Sequence, residues 1–184
     1  VGAGWALCRV VHNLLPASEF GVSGVKNDGY EAAVDHLNTC LSQICNQLNT
    51  DSLNYCVTIH CFNSLGVAGQ RIDAIVQQAL QSMAVKIGGS SIVSPDEMLS
   101  EVVSAISYQG DRGSHPNLDY LASSEFNSVK ELIVHAVRRI VASAAQVMSF
   151  WIKEGHPFYP VFWDFAFLIE CNSHAFVLIG SSSD

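Results

Sequence analysis

The chain has 184 residues, of which 14% are charged and 49% hydrophobic, and its nine Lys and Arg against seventeen Asp and Glu leave a formal charge of −8. That length fits one domain, spanning 1–184, with a sizeable core of its own. The acidic balance, with no basic cluster longer than Arg138-Arg139, speaks against nucleic acid as a partner, and no apolar run reaches the ~18 residues of a membrane-spanning helix.

Taken in order, residues 3–15 predict a first helix, with Trp5, Cys8, Val11 and Leu15 at helical spacing and Pro16 ending it. A Gly- and Ser-containing loop follows. Asp28 opens a second helix, where Glu31 completes a capping box and Tyr30, Ala33, Val34, Leu37, Leu41, Ile44, Cys45 and Leu48 form one apolar stripe. Residues 53–62 fit both a strand and a helix face; the β-branched run Val57-Thr58-Ile59 favours a strand that joins the C-terminal hairpin. Ala68, Ile72, Ile75, Val76, Ala79, Leu80 and Met83 predict another helix, closed by Gly88-Gly89. Ser94, Pro95 and Glu97 mark the start of a shorter one, with Leu99, Val102, Val103 and Ile106 inward. Residues 109–117 read as a flexible loop.

The organising stretch is C-terminal. From Val129 to Trp151 apolar residues keep the i, i+3, i+4 rhythm, Ser128 and Glu131 form a capping box, and Gly155 with Pro157 gives the stop, which predicts one long helix over 128–153. After Pro160 the period becomes two. Residues 160–180 predict an antiparallel hairpin with a two-residue turn at Cys171 and Asn172, setting Phe167 across from Phe176 and Phe165 across from Leu178. Both its faces are mainly apolar, so it has to be covered twice, extended by a further strand, or met by a second chain. The expected class is α+β, helix-dominated, with about five to six helices around the long central one, a C-terminal hairpin and a strand at 53–62 as an optional addition.

Chemistry is written faintly. Cys40, Cys45, Cys56, Cys61 and His60 are close in sequence, but their spacing is wrong for a zinc knuckle, and buried thiols acting as small hydrophobes are the plainer reading. No signal-peptide pattern precedes them, so reduced thiols in the cytoplasm are expected, with no metal and no cofactor. The site candidates are His156, Asp164 and His174, in or beside the hairpin, and Arg138, which could pair with the carboxylate that interrupts an apolar strand. Asp111, Ser114 and His115 share one loop without the separation a catalytic triad needs. No Gly-rich phosphate loop, H-E-x-x-H or G-x-S-x-G is present.

Absent catalytic motifs, a charge-poor surface and an aromatic hairpin favour a non-enzymatic binding or regulatory domain. Its partner would be a protein, in the manner of an inhibitor or immunity protein, or a second copy of the chain in a homodimer. The alternative is a small-molecule binder or enzyme with a pocket between the long helix and the hairpin.

Overall fold

The computed structural model describes residues 28–65, 69–172 and 174–183. The helix expected at 3–15 lies outside them. Along the described chain run α1 (Asp28–Asn49), β1 (Cys56–Leu65), α2 (Ile72–Ala79), β2 (Lys86–Ile92), α3 (Pro95–Ile106), α4 (Leu118–Leu121), α5 (Ser124–Val141), β3 (Gln146–Glu154), β4 (Trp163–Glu170) and β5 (His174–Ser183). The five strands form one sheet in the order β1-β5-β4-β3-β2, and every neighbouring pair is antiparallel. The class is α+β, but helices do not dominate it; a five-stranded sheet is the framework, and that corrects the expectation.

The error lies at 128–153. α5 begins earlier, where the Ser123 hydroxyl accepts from the Phe126 amide at 3.1 Å, while Ser128 sits inside the helix and donates to the Ser124 carbonyl. The helix stops at Val141, and 146–154 is strand β3. The two periods compete here because Val147, Met148 and Trp151 satisfy the helical one, yet that reading leaves Phe150 and Ile152 on the polar face. As a strand, the segment buries Phe150 to 5% exposure and Val147 to 4%, on opposite sides of the sheet, and gains backbone partners on β2 and β4. Tertiary pairing outweighs local propensity.

Gly88-Gly89 is also placed differently, inside β2 rather than at a helix end; α2 stops at Ala79, just before Gln81 adopts a positive φ of 51°. The indole of Trp151 takes up the space these glycines leave. A Cβ on Gly88 would meet the Trp151 ring at 2.5 Å.

The strand near 53–62 and the start of α3 come out as expected, whereas the hairpin register and the loop at 109–117 do not. The 53–62 segment is strand β1, shifted to 56–65, and it does join the hairpin through β5. α3 carries the full capping box, with Glu97 N–H donating to the Ser94 hydroxyl and Ser94 N–H to the Glu97 carboxylate, and Pro95 at its first position. The hairpin register is two residues off the expected one: Phe167 faces Leu178 and Ile169 faces Phe176. A shift of two keeps every side chain on its face. Residues 109–117 are stitched down, His115 and Leu53 exchanging backbone bonds of 2.8 and 2.9 Å and Asp111 accepting from the Gly113 and Ser114 amides.

Two apolar layers flank the sheet. On one side α1, α4, α5 and α3 pack over Val57, Ile59, Phe165, Phe167, Ile169, Phe176 and Leu178. On the other Ile75, Val76 and Ala79 of α2 cover Ala166, Leu168, Val177 and Ile179. Both faces of the hairpin are therefore hidden by the chain's own helices. The outer edge of β1 is closed as well: the Asn38 amide exchanges two 2.8 Å bonds with the Cys61 backbone, and Asn49 does the same with Val57 at 2.9 and 2.6 Å. These side chains do for an edge strand what a further strand would do. Replacing Asn38 with Leu strands a backbone donor and acceptor, so denaturant unfolding should report a loss of about 1–3 kcal/mol; unchanged stability would show that water replaces the asparagine at no cost.

Candidate functional site

The sheet divides. β3 pairs with β4 only from Gln146↔Glu170 to Ser149↔Phe167, after which β3 continues with β2 as far as Glu154↔Lys86 while β4 continues with β5 as far as Trp163↔Ser182. Each arm is held at its far end. Gly155 turns the first with a φ of 72°, packed so tightly that a Cβ would lie 2.5 Å from the Ala84 carbonyl oxygen, and Lys86 meets Glu154 across it. In the second, the Trp163 indole N–H donates to the Tyr55 hydroxyl at 2.8 Å, and the amides of Val161 and Phe162 bond the Ser182 carbonyl. Trp163 lies parallel to Phe165, centroids 5.8 Å apart.

Between the arms opens a cleft of about 510 Å³, lined by Gly89, Ser90 and Ser91 of β2, Ser149, Phe150 and Trp151 of β3, Asp164, Phe165 and Ala166 of β4, and Glu101 of α3. The volume is in the range of small-ligand sites. The lining combines a half-exposed indole, three hydroxyls and two carboxylates. Glu101 is largely exposed, yet the cleft walls remove part of its water and raise its pKa, and the neighbouring Asp164 charge adds to the rise. Neither carboxylate has a cationic partner: among the described residues the ion pairs are Arg71–Asp73 and Lys86–Glu154.

His156, in the loop joining β3 to β4, is within electrostatic reach of Asp164. Its burial lowers the imidazole pKa, against which the Phe158 carbonyl and the Asp164 charge pull upward. Nδ1 lies 3.0 Å from the Phe158 amide nitrogen and 2.8 Å from its carbonyl oxygen. It accepts from the first when neutral at Nδ1 and donates to the second when protonated there.

The structure thus leaves His156 near enough to Asp164 to feel its charge, though not as a lining residue of the cleft, and disperses the other two candidates. His174 begins β5, buried against Tyr30 at 4.4 Å and Phe176 at 5.2 Å; it stands at the hairpin end of the sheet, about seven residues or ~23 Å along the strand from Ser181, the partner of Asp164. Arg138 is exposed in the last turn of α5, where a cation complements the helix C-terminus, and it makes no ion pair with Asp164. Glu101 and Trp151 escaped the sequence reading, the first as one more polar residue on a helix, the second as part of an apolar stripe. Asp164 alone carried a signal, as a carboxylate interrupting an apolar strand.

Among the described residues no three His, Cys, Asp or Glu side chains gather as a metal site would require. Cys40, Cys45, Cys61 and Cys171 are buried free thiols; burial pushes Cys45 and Cys61 up to about 12, leaving them protonated and unreactive. Cys56 differs, being disulfide-bonded, which corrects the expectation that the thiols are reduced.

No family model, curated protein or solved structure matches this chain.

Two outcomes follow from this chemistry. In denaturant without reductant, Cys56 should resist alkylation while Cys40, Cys45, Cys61 and Cys171 react, as mass mapping would read; alkylation of Cys56 without reductant would remove the disulfide. For Glu101, a folded-state pKa above the ordinary value of 4.5 means the folded domain loses stability as pH rises from that value through the raised one. Glu101→Gln abolishes this loss, so the variant should be the more stable at pH 7 and the two proteins should converge in acid. Parallel stability profiles would sever Glu101 from the cleft's electrostatics.

Proposed function

We propose that this is a non-enzymatic binding domain whose working surface is the cleft between the two arms of the sheet, and that it receives a positively charged group of a partner protein. The observation that carries the reading is the pair Glu101 and Asp164, two carboxylates that repel one another in one cleft and that make no ion pair among the described residues. Both are exposed, so an incoming cation meets two like charges side by side without having to displace a bound one. The chain's charge of −8 supports a basic partner and disfavours nucleic acid, and the Trp151 face suits an ammonium or guanidinium group. This is how an inhibitor or immunity protein recognises its target. A second copy of the chain is the weaker partner, because Leu168 and the hairpin face that suggested it lie under α2.

No helix among the described residues is long and apolar enough to cross a membrane. The disulfide at Cys56 fits an oxidising compartment better than the cytoplasm that the sequence pattern favours.

A second reading places a small molecule or a reaction in the same cleft. It is favoured by the two carboxylates that line one cleft with the half-exposed Trp151 indole, and by the raised pKa of Glu101.

Titrating Nα-acetyl-arginine amide while following Trp emission and backbone amide shifts separates the two. Saturable binding that weakens with salt and is lost in Glu101→Gln/Asp164→Asn is expected; equal binding by the double variant would overturn recognition by charge.

A further inference from the structure

We infer that the fork between β3 and β4 is a slot for an extended, basic segment of the partner protein, which adds to the open edge of β4 through backbone hydrogen bonds and lays its Lys or Arg side chains between Glu101 and Asp164. The inference rests on the charge reading of the cleft and adds the form of the partner to it. The edge comes first. β4 is paired with β5 over its whole length but with β3 only from Phe167 onward, so among the described residues no strand pairs with the cleft side of 163–166. Alternate residues there aim N–H and C=O groups into the opening, and none is proline, so each keeps its donor. An open edge of this kind is where extended peptides add.

The rival edges are closed or of the wrong charge. On β1 the Asn38 and Asn49 amides already occupy the outer backbone groups. β2, Lys86–Ile92, carries a lysine and no carboxylate. The fork is different: Gly155, packed on Ala84, and the Lys86–Glu154 pair tie the end of β3 to the β2 side, and both carboxylates line the cleft between β3 and β4. In an extended segment side chains alternate, so a cation at every second residue faces one side while the backbone pairs in the plane of the sheet.

The probe is an acetylated, amidated octapeptide of alternating Lys and Val, titrated against the full chain. Its two isomers N-methylated on one or the other alternate set of amides serve as comparison. The parent peptide should bind saturably, shift the amides of 150–152 and 163–166, and weaken at least about tenfold in Glu101→Gln/Asp164→Asn, a variant checked to unfold cooperatively at a temperature no lower than the parent protein. One methylated isomer should lose at least about tenfold and the other should keep its affinity, because only one set points at β4. If both isomers bind like the parent, strand addition is overturned and charge recognition stands; the same holds if the acetyl-arginine amide binds and the peptide does not. If neither probe binds, or if the shifts fall on β1 or β2, both readings fail. An Asp164→Asn protein that aggregates while the peptide's affinity is unchanged would make Asp164 a guard of the edge and overturn the slot.

Discussion

The structure depends on one strand that cannot be anywhere but inside. Residues 175–179 of β5 are all at 0% exposure, with β1 hydrogen-bonded along one edge and β4 along the other. A strand apolar on both faces and paired on both edges requires strands at its sides and helices above and below. α1 and α5 supply one cover and α2 the other. Each of its large side chains contributes roughly 1.5–3 kcal/mol by burial, which makes β5 the strand around which the rest is placed. The low charged fraction of the chain follows from the same arrangement, since two apolar layers need more core residues than one.

How much of this was legible varied with whether the signal was local. α1 was legible from its apolar stripe, and α3 because stripe and cap agree within a few residues of each other, at Ser94, Pro95 and Glu97. Residues 146–154 were not, because Val147, Met148 and Trp151 satisfy both periods and only the presence of β2 and β4 alongside decides between them. The hairpin was legible in its faces and wrong in its register, since the Cys171 amide closes onto the His174 carbonyl, which places the turn one residue later than expected, and no sequence preference marks that shift. Asp164 stood out because it breaks an apolar alternation. Glu101 did not, as its meaning depends on where α3 docks. The cleft itself is a place where pairing stops, and an interruption of pairing leaves no trace in composition or periodicity.

The dispersal of His174 and Arg138 shows the same limit from the other side. Residue types that could share a metal or an anion were close in sequence or in imagined register, but strand length separates them. Both have satisfactory structural roles: His174 packs between Tyr30 and Phe176, and Arg138 complements the end of α5.

The division of the sheet also bears on how the molecule breathes. Four residue pairs join β3 to β4, against eight between β4 and β5 and ten between β1 and β5. The β2–β3 ribbon is thus a leaf attached by its base, and the seam along Gln146–Ser149 is the weakest line across the sheet. Sub-global opening follows such lines. Amides of the ribbon should therefore exchange with solvent well before those of β5, with the leaf swinging as one unit while the β1-β5-β4 block stays shut. A guest entering the opening would find one wall that yields and one that does not.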